Sequence, residues 1–187
     1  MAKNKVEFGM SQLHVGTYTV AAGGAVTLGT PYHQEGAVSF SPEESSERNV
    51  FHADNIEYWV GYSGGTIEGD LTVAKFDDEF KTQFLGYRTL TNGGLANVKG
   101  ATKPSVYIAF QVEGDAEARR VILYNCSLGA ITRAFNTINE SKTPDTEALG
   151  VTAVGDNTTG VTMAVLKPGD TGYATLFSSP AAPEFAP

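Results

Sequence analysis

A single cysteine, Cys126, stands in this chain of 187 residues. No intrachain disulfide can therefore form, and a cysteine-rich zinc site is excluded. Basic residues are also few, 13 Lys and Arg against 21 Asp and Glu, for a formal charge of −8. A nucleic-acid binder carries a basic patch, so this balance argues against one. It favours solubility, or a surface that repels polyanions. Charged residues make up 18% of the chain, below the ordinary share of about 25%. Long apolar runs are missing, so no segment reads as a membrane span. The basic start, MAKNKVEFGM, lacks the apolar centre of a signal peptide. The protein is expected to be cytosolic where it is made, and the sequons at Asn125, Asn139 and Asn157 then carry no glycosylation meaning.

What is present favours β structure. Glycine (21), tyrosine (8) and phenylalanine (10) are plentiful, and strict alternation recurs. In 66–75, TIEGDLTVAK, Ile67, Leu71 and Val73 fall on one face while Thr66, Glu68, Asp70 and Thr72 fall on the other, as in a half-buried strand. Val106, Ile108, Phe110 and Val112 form one apolar face of 105–113. The run 118–128, ARRVILYNCSL, is apolar on both faces in its middle and reads as a more central strand. Gly114–Glu117 joins these two as a hairpin loop. Further strands are expected at 11–20, 36–41, 47–61, 146–154 and 159–166, the last two joined by a turn at Gly155-Asp156-Asn157. One segment breaks the period. In FDDEFKTQFLG, 76–86, Phe76, Phe80 and Phe84 recur at i, i+4 and i+8. Asp77 or Asp78 can cap and Gly86 can stop a short helix at about 77–85 that buries this stripe as core. Residues 41–48, SPEESSER, read as an acidic loop, and the Pro/Ala-rich 178–187 as a flexible tail after a β-domain spanning 1–177.

The chemistry-bearing patterns fail one by one. Gly61-Tyr62-Ser63-Gly64-Gly65 fits the G-x-S-x-G elbow of hydrolases, which needs a strand-to-helix turn. Here the following residues alternate as a strand, so GYSGG reads as a turn between strands. All three histidines, His14, His33 and His52, precede Ser63, and the first aspartate is Asp54. Only a triad crowded into His52, Asp54 and Ser63 survives. No histidine pair has zinc spacing, and Cys126 lies in an apolar run as an inert thiol. The Gly-Gly pairs at 23–24, 64–65 and 93–94 lack the Lys-Ser/Thr of a phosphate loop. No catalytic residue, metal or cofactor is expected. Tyr58, Trp59 and Tyr62 could form a sugar platform, although burial is the expected fate of a sole tryptophan.

The segments HADNIEYW (52–59), GYSGG with its following strand, FDDEFKTQFLG (76–86) and ARRVILYNCS (118–127) occur in an order that resembles the major tail tube proteins of long, non-contractile tailed bacteriophages. The resemblance spans roughly residues 5–155 and is less clear over 160–187. It implies a mainly β, sandwich- or barrel-like fold with one flanking helix. It also implies hexameric rings stacked into a tube that conducts DNA, in the virion tail, from subunits made in the host bacterial cytoplasm. Partners would be further copies of the chain, a tape measure protein, a tail terminator and distal tail or baseplate proteins, with DNA only passing through and no membrane. On this reading Glu68 and Asp70 are candidates to face the lumen. The loop carrying Glu43, Glu44, Glu47 and Arg48, with the N-terminal residues 1–10, would join subunits. A tube protein of a related secretion or contractile system is the alternative with the same fold.

Overall fold

The computed structural model describes residues 9–135 and 144–185. Eleven strands and one helix are found among them: β1 (Gly9–Val20), β2 (Val26–Leu28), β3 (Tyr32–His33), β4 (Ala37–Ala53), β5 (Ile56–Val73), α1 (Asp78–Phe84), β6 (Arg88–Thr89), β7 (Leu95–Ala96), β8 (Val106–Glu113), β9 (Arg120–Arg133), β10 (Glu147–Ala153) and β11 (Met163–Leu166). The fold is mainly β, as the sequence implies. One antiparallel sheet runs β2-β1-β8-β9-β10-β5-β4, with β3 added to β1 and β11 to β9, while β6 and β7 pair separately. The sheet curls until β1 approaches β4. That curvature encloses an apolar interior.

Alternation sorts the side chains. On β8, Val106, Ile108 and Phe110 face the main core, while Tyr107 and Ala109 face a second, smaller one. On β9, Val121 and Leu123 join the first and Ile122 and Tyr124 the second. The doubly apolar run thus marks a strand covered on both sides. The helix closes the main core. Phe76, Phe80 and Phe84 are buried, with Phe76 and Phe80 stacked at 4.9 Å. Asp77 takes the cap position, but its side chain makes no cap bond. It accepts a hydrogen bond from the Tyr32 hydroxyl at 3.0 Å instead. Asp78 and Glu79 in the first turn complement the helix dipole. Gly86, at φ +72°, supplies the left-handed stop.

A polar contact invisible in the sequence docks this helix. Glu147 is buried at the start of β10 and accepts the Phe76 N–H at 2.9 Å. It also lies 3.5 Å from the buried Lys81 ammonium and 3.2 Å from the Arg133 guanidinium. Glu147→Gln keeps the shape but removes the charge that balances Lys81. We expect a loss of about 1.5–3 kcal/mol, the usual weight of a hydrogen bond to a charged group, read as a lower urea midpoint at unchanged slope. An unchanged midpoint would show that the ion pair contributes nothing.

Three expectations change. The stretch 41–48 is no loop, because Glu43, Glu44, Glu47 and Arg48 all lie within β4, paired with Glu68, Ile67, Ser63 and Tyr62 of β5. GYSGG is no turn, because it lies inside β5 opposite Arg48, Glu47 and their neighbours. The turn sits at Asp54-Asn55, both left-handed (φ 52° and 62°), as a two-residue hairpin requires. It divides the single strand expected over 47–61. Finally, β10 and β11 do not form a hairpin. Both pair with β9, β10 along Cys126–Arg133 and β11 along Arg120–Leu123.

Candidate functional site

Two surfaces stand out, and both are built on β4 and β5. The first is the outer face of the sheet where β4, β5 and β10 run side by side. Register places Ser39 opposite Thr72, Ser41 opposite Asp70 and Glu43 opposite Glu68. It also sets Gly150 beside Asp70 and Thr152 beside Glu68. Because Ile67, Leu71 and Val73 point into the core, Glu68 and Asp70 must point out, and both are exposed. A shallow depression of about 630 Å³ forms there, lined among others by Glu43, Glu44, Glu68 and Asp70 and, among the described residues, by no Lys or Arg. Glu43 directly opposite Glu68 is a like-charge pair that costs sheet stability. Gly69 lets the strands close up, since a Cβ there would lie 2.4 Å from the Ser41 carbonyl oxygen. This face is smooth, polar and anionic. Alternation assigns Glu68 and Asp70 to this face, whereas Glu43, expected in an inter-subunit loop, is set beside them by the pairing register.

The second surface is the far end of the same two strands. β10 pairs with β5 only over Ile67–Val73. Beyond it β4 and β5 continue as a ribbon that pairs with itself up to the Asp54-Asn55 turn. At about 3.4 Å per residue this ribbon reaches about 25–30 Å. The Arg48–Glu57 ion pair at 2.6 Å braces it, and the hydroxyls of Ser45 and Thr66 meet at 2.6 Å near its base. Its side chains are unusual for an exposed element. Phe51 and Trp59 face each other across the strands and are 60% and 56% exposed, with Ile56 at 62% and Tyr58 at 71%. Trp59 is therefore not buried, contrary to the sequence expectation, and its ring folds over Gly61, where a Cβ would collide with it at 2.1 Å.

The residues weighed for catalysis do not converge. Ser63 sits mid-strand opposite Glu47, away from any strand-to-helix elbow. His52 stands near the ribbon tip opposite Glu57, whereas His14 and His33 stack on each other at 4.7 Å. No group of three or more His, Cys, Asp or Glu able to hold a metal occurs among the described residues. Cys126 is buried, and burial pushes its thiol up to about 12, so no thiolate forms near neutral pH. No helix among the described residues is long and apolar enough to cross a membrane.

No curated protein matches this sequence. Among solved structures, the tube-terminating cap of the anti-feeding prophage is similar at 8% identity and a TM-score of 0.49, over 89% of this chain and 96% of that one. A chain of the sheath–tube complex of an extracellular contractile injection system, in its extended state, is similar at 8% identity and a TM-score of 0.47, over 83% and 88%. Likeness at that level carries no statement about function. The sequence itself does: the family model described as phage tail tube protein matches residues 2–147, which include the acidic residues Glu43, Glu44, Glu68 and Asp70 and the projecting ribbon, and the chain belongs to that family.

Proposed function

We propose that six copies of this chain close into a ring, that rings stack into the tail tube of a phage virion, and that the tube conducts DNA during ejection. The observation that carries this reading is the projecting ribbon. An isolated two-stranded hairpin is marginal in water, and one that exposes Phe51, Ile56, Tyr58 and Trp59 needs an apolar partner surface. In a homopolymer that partner is the neighbouring subunit. β4 is the last strand of the sheet path among the described residues, and its edge is a second place where another copy can add. Glu47 and Arg48, which lie in the ribbon opposite Ser63 and Tyr62, keep the inter-subunit role expected for the 41–48 stretch, whereas Glu43 and Glu44 go to the acidic face.

The acidic face supplies the wall. Glu68 and Asp70, with Glu43, line the lumen, where fixed negative charge repels phosphates and lets DNA slide without sticking. The subunit does no catalysis and needs no cofactor. Its other partners are a tape measure protein, a tail terminator and distal tail or baseplate proteins. Residues 1–177 form the tube domain and 178–187 its tail; residues 1–8 of the suggested N-terminal arm lie outside the described residues.

Assembly depends on concentration and salt. A subunit of charge −8 repels its copies, and salt screens that repulsion over about 8 Å near physiological ionic strength. Sedimentation velocity should give a monomer when the protein is dilute at low salt and fast-sedimenting rings or tubes when it is concentrated at high salt. A single monomer boundary at millimolar concentration in high salt, with or without a tail initiator complex, would sink the assignment.

A further inference from the structure

Residues 167–179, beyond the end of the family match, run as successive turns along the second core. Leu176 fills that core beside Tyr18, Tyr107, Ile122 and Tyr124. Two rings of the segment are clamped by one cation. The Arg120 guanidinium lies 4.1 Å from the Tyr173 ring centroid and 4.3 Å from that of Phe177. It also donates a hydrogen bond to the Tyr173 carbonyl oxygen. Phe177 in turn stacks on His14 at 4.6 Å and 12°, and His14 stacks on His33 at 4.7 Å and 21°. At the start of the segment Lys167 pairs with Glu117 at 3.2 Å and its N–H meets the Asp170 carboxylate.

His14 is the weak point of this clamp. It is only 7% exposed, and its Nδ1 lies 2.7 Å from the Gln12 carbonyl oxygen, an arrangement in which Nδ1–H donates. The groups that face it are His33 from β3, Arg120 from β9 and the Phe177 ring from the segment. Its register partner on β8 is the uncharged Ala109. None of these neighbours is a carboxylate. A second proton therefore puts a cation into a nearly enclosed place, beside a permanent cation and a second imidazole. A cation over an aromatic face gains some attraction, but Phe177 already receives Arg120.

We propose that residues 167–179 form an acid-released strap: protonating His14 drives Phe177 and Tyr173 off the His14–His33–Arg120 cluster and uncovers the apolar face of Tyr18, Tyr107, Ile122 and Tyr124. The sign is fixed by burial, which lowers the pKa of His14; the Gln12 carbonyl opposes this, and His33 and Arg120 add to it. The folded value lies below the unfolded 6.5. The closed strap is thus favoured above pH 6.5 and loses that contribution as pH falls through the folded value. The inference concerns the monomer and stands apart from the assembly reading.

Hydrogen exchange of the dilute, low-salt protein at pH 7.5 and pH 5.0, corrected for intrinsic rates, tests it. Amides of 170–179 should lose protection at least tenfold at pH 5.0, while those of β8 keep theirs. His14→Phe, which keeps a flat ring but cannot take a proton, should abolish the difference. In the unsubstituted protein the midpoint of strap opening should coincide with the His14 imidazole titration followed by NMR, a readout that holds even if the variant misfolds. Equal protection at both pH values, persistence of the opening in His14→Phe, or a midpoint apart from the His14 titration would each overturn the proposal.

Discussion

Replacing Phe51 and Trp59 together by glutamate should abolish tube formation while leaving the body of the subunit folded. The two rings face each other on the part of β4 and β5 that lies beyond the β10 pairing, and each is more than half exposed. Burying such a side chain against a neighbour is worth about 1.5–3 kcal/mol. Losing both removes about 3–6 kcal/mol from each subunit contact, or roughly a hundredfold to ten-thousandfold in affinity. Every subunit of a ring uses the same contact, so the critical concentration should rise by a comparable factor, beyond what the salted protein reaches. The melt should move little, because neither ring belongs to the cores formed by β1, β5, β8, β9 and β10. Phe51→Tyr with Trp59→Tyr, which preserves the aromatic pair, should still assemble. Tubes formed at the ordinary concentration by the double glutamate variant would show that the ribbon is not the joint.

Phe80→Ala should act in the opposite way, destabilising the subunit without touching its outer surface. Phe80 is fully buried, stacks on Phe76 at 4.9 Å and packs at a tilt against Phe84 at 5.2 Å, with Tyr32 at 6.3 Å. Removing the ring loses its transfer energy and leaves a cavity that a helix of seven residues cannot close without giving up its neighbours. The cost should be about 3–5 kcal/mol. For a domain of this size each kcal/mol lowers the melting temperature by about 2–4 °C, so the midpoint should fall by about 10 °C. A shift of only a degree or so would mean that the stripe does not support the fold.

These two predictions also divide what the sequence disclosed from what it hid. The aromatic stripe was legible because helical period and local charge agree: phenylalanines at i, i+4 and i+8, acids at the start, glycine at the stop. The strands of the body were legible for the same reason, each alternating toward a core that exists within the chain. The ribbon was not. SPEESSER has the composition of a loop, and it becomes strand only because β5 lies beside it, a non-local effect that outweighs the weak β-propensity of Glu and Ser. Asp54-Asn55 was a readable hairpin turn, but the apolar residues on both sides of it suggested one continuous strand. Trp59 was misplaced because sole tryptophans are expected inside their own chain, whereas this one faces outward. The buried Glu147, whose partners Phe76 and Lys81 are far away in sequence, left no local signature at all.

The acidic face was half legible. Alternation alone put Glu68 and Asp70 opposite the core residues Ile67 and Leu71. Only the register of β4 and β10 joins those two side chains with Glu43 into one polar face that, among the described residues, is lined by no Lys or Arg.

The central claim is that this subunit builds a hollow tube from copies of itself, and negative-stain electron microscopy of the concentrated, salted protein tests it most directly. The account predicts rings of sixfold symmetry and hollow tubes of uniform diameter with a stain-filled channel. Dispersed monomers, amorphous aggregates or solid filaments without a channel would contradict it.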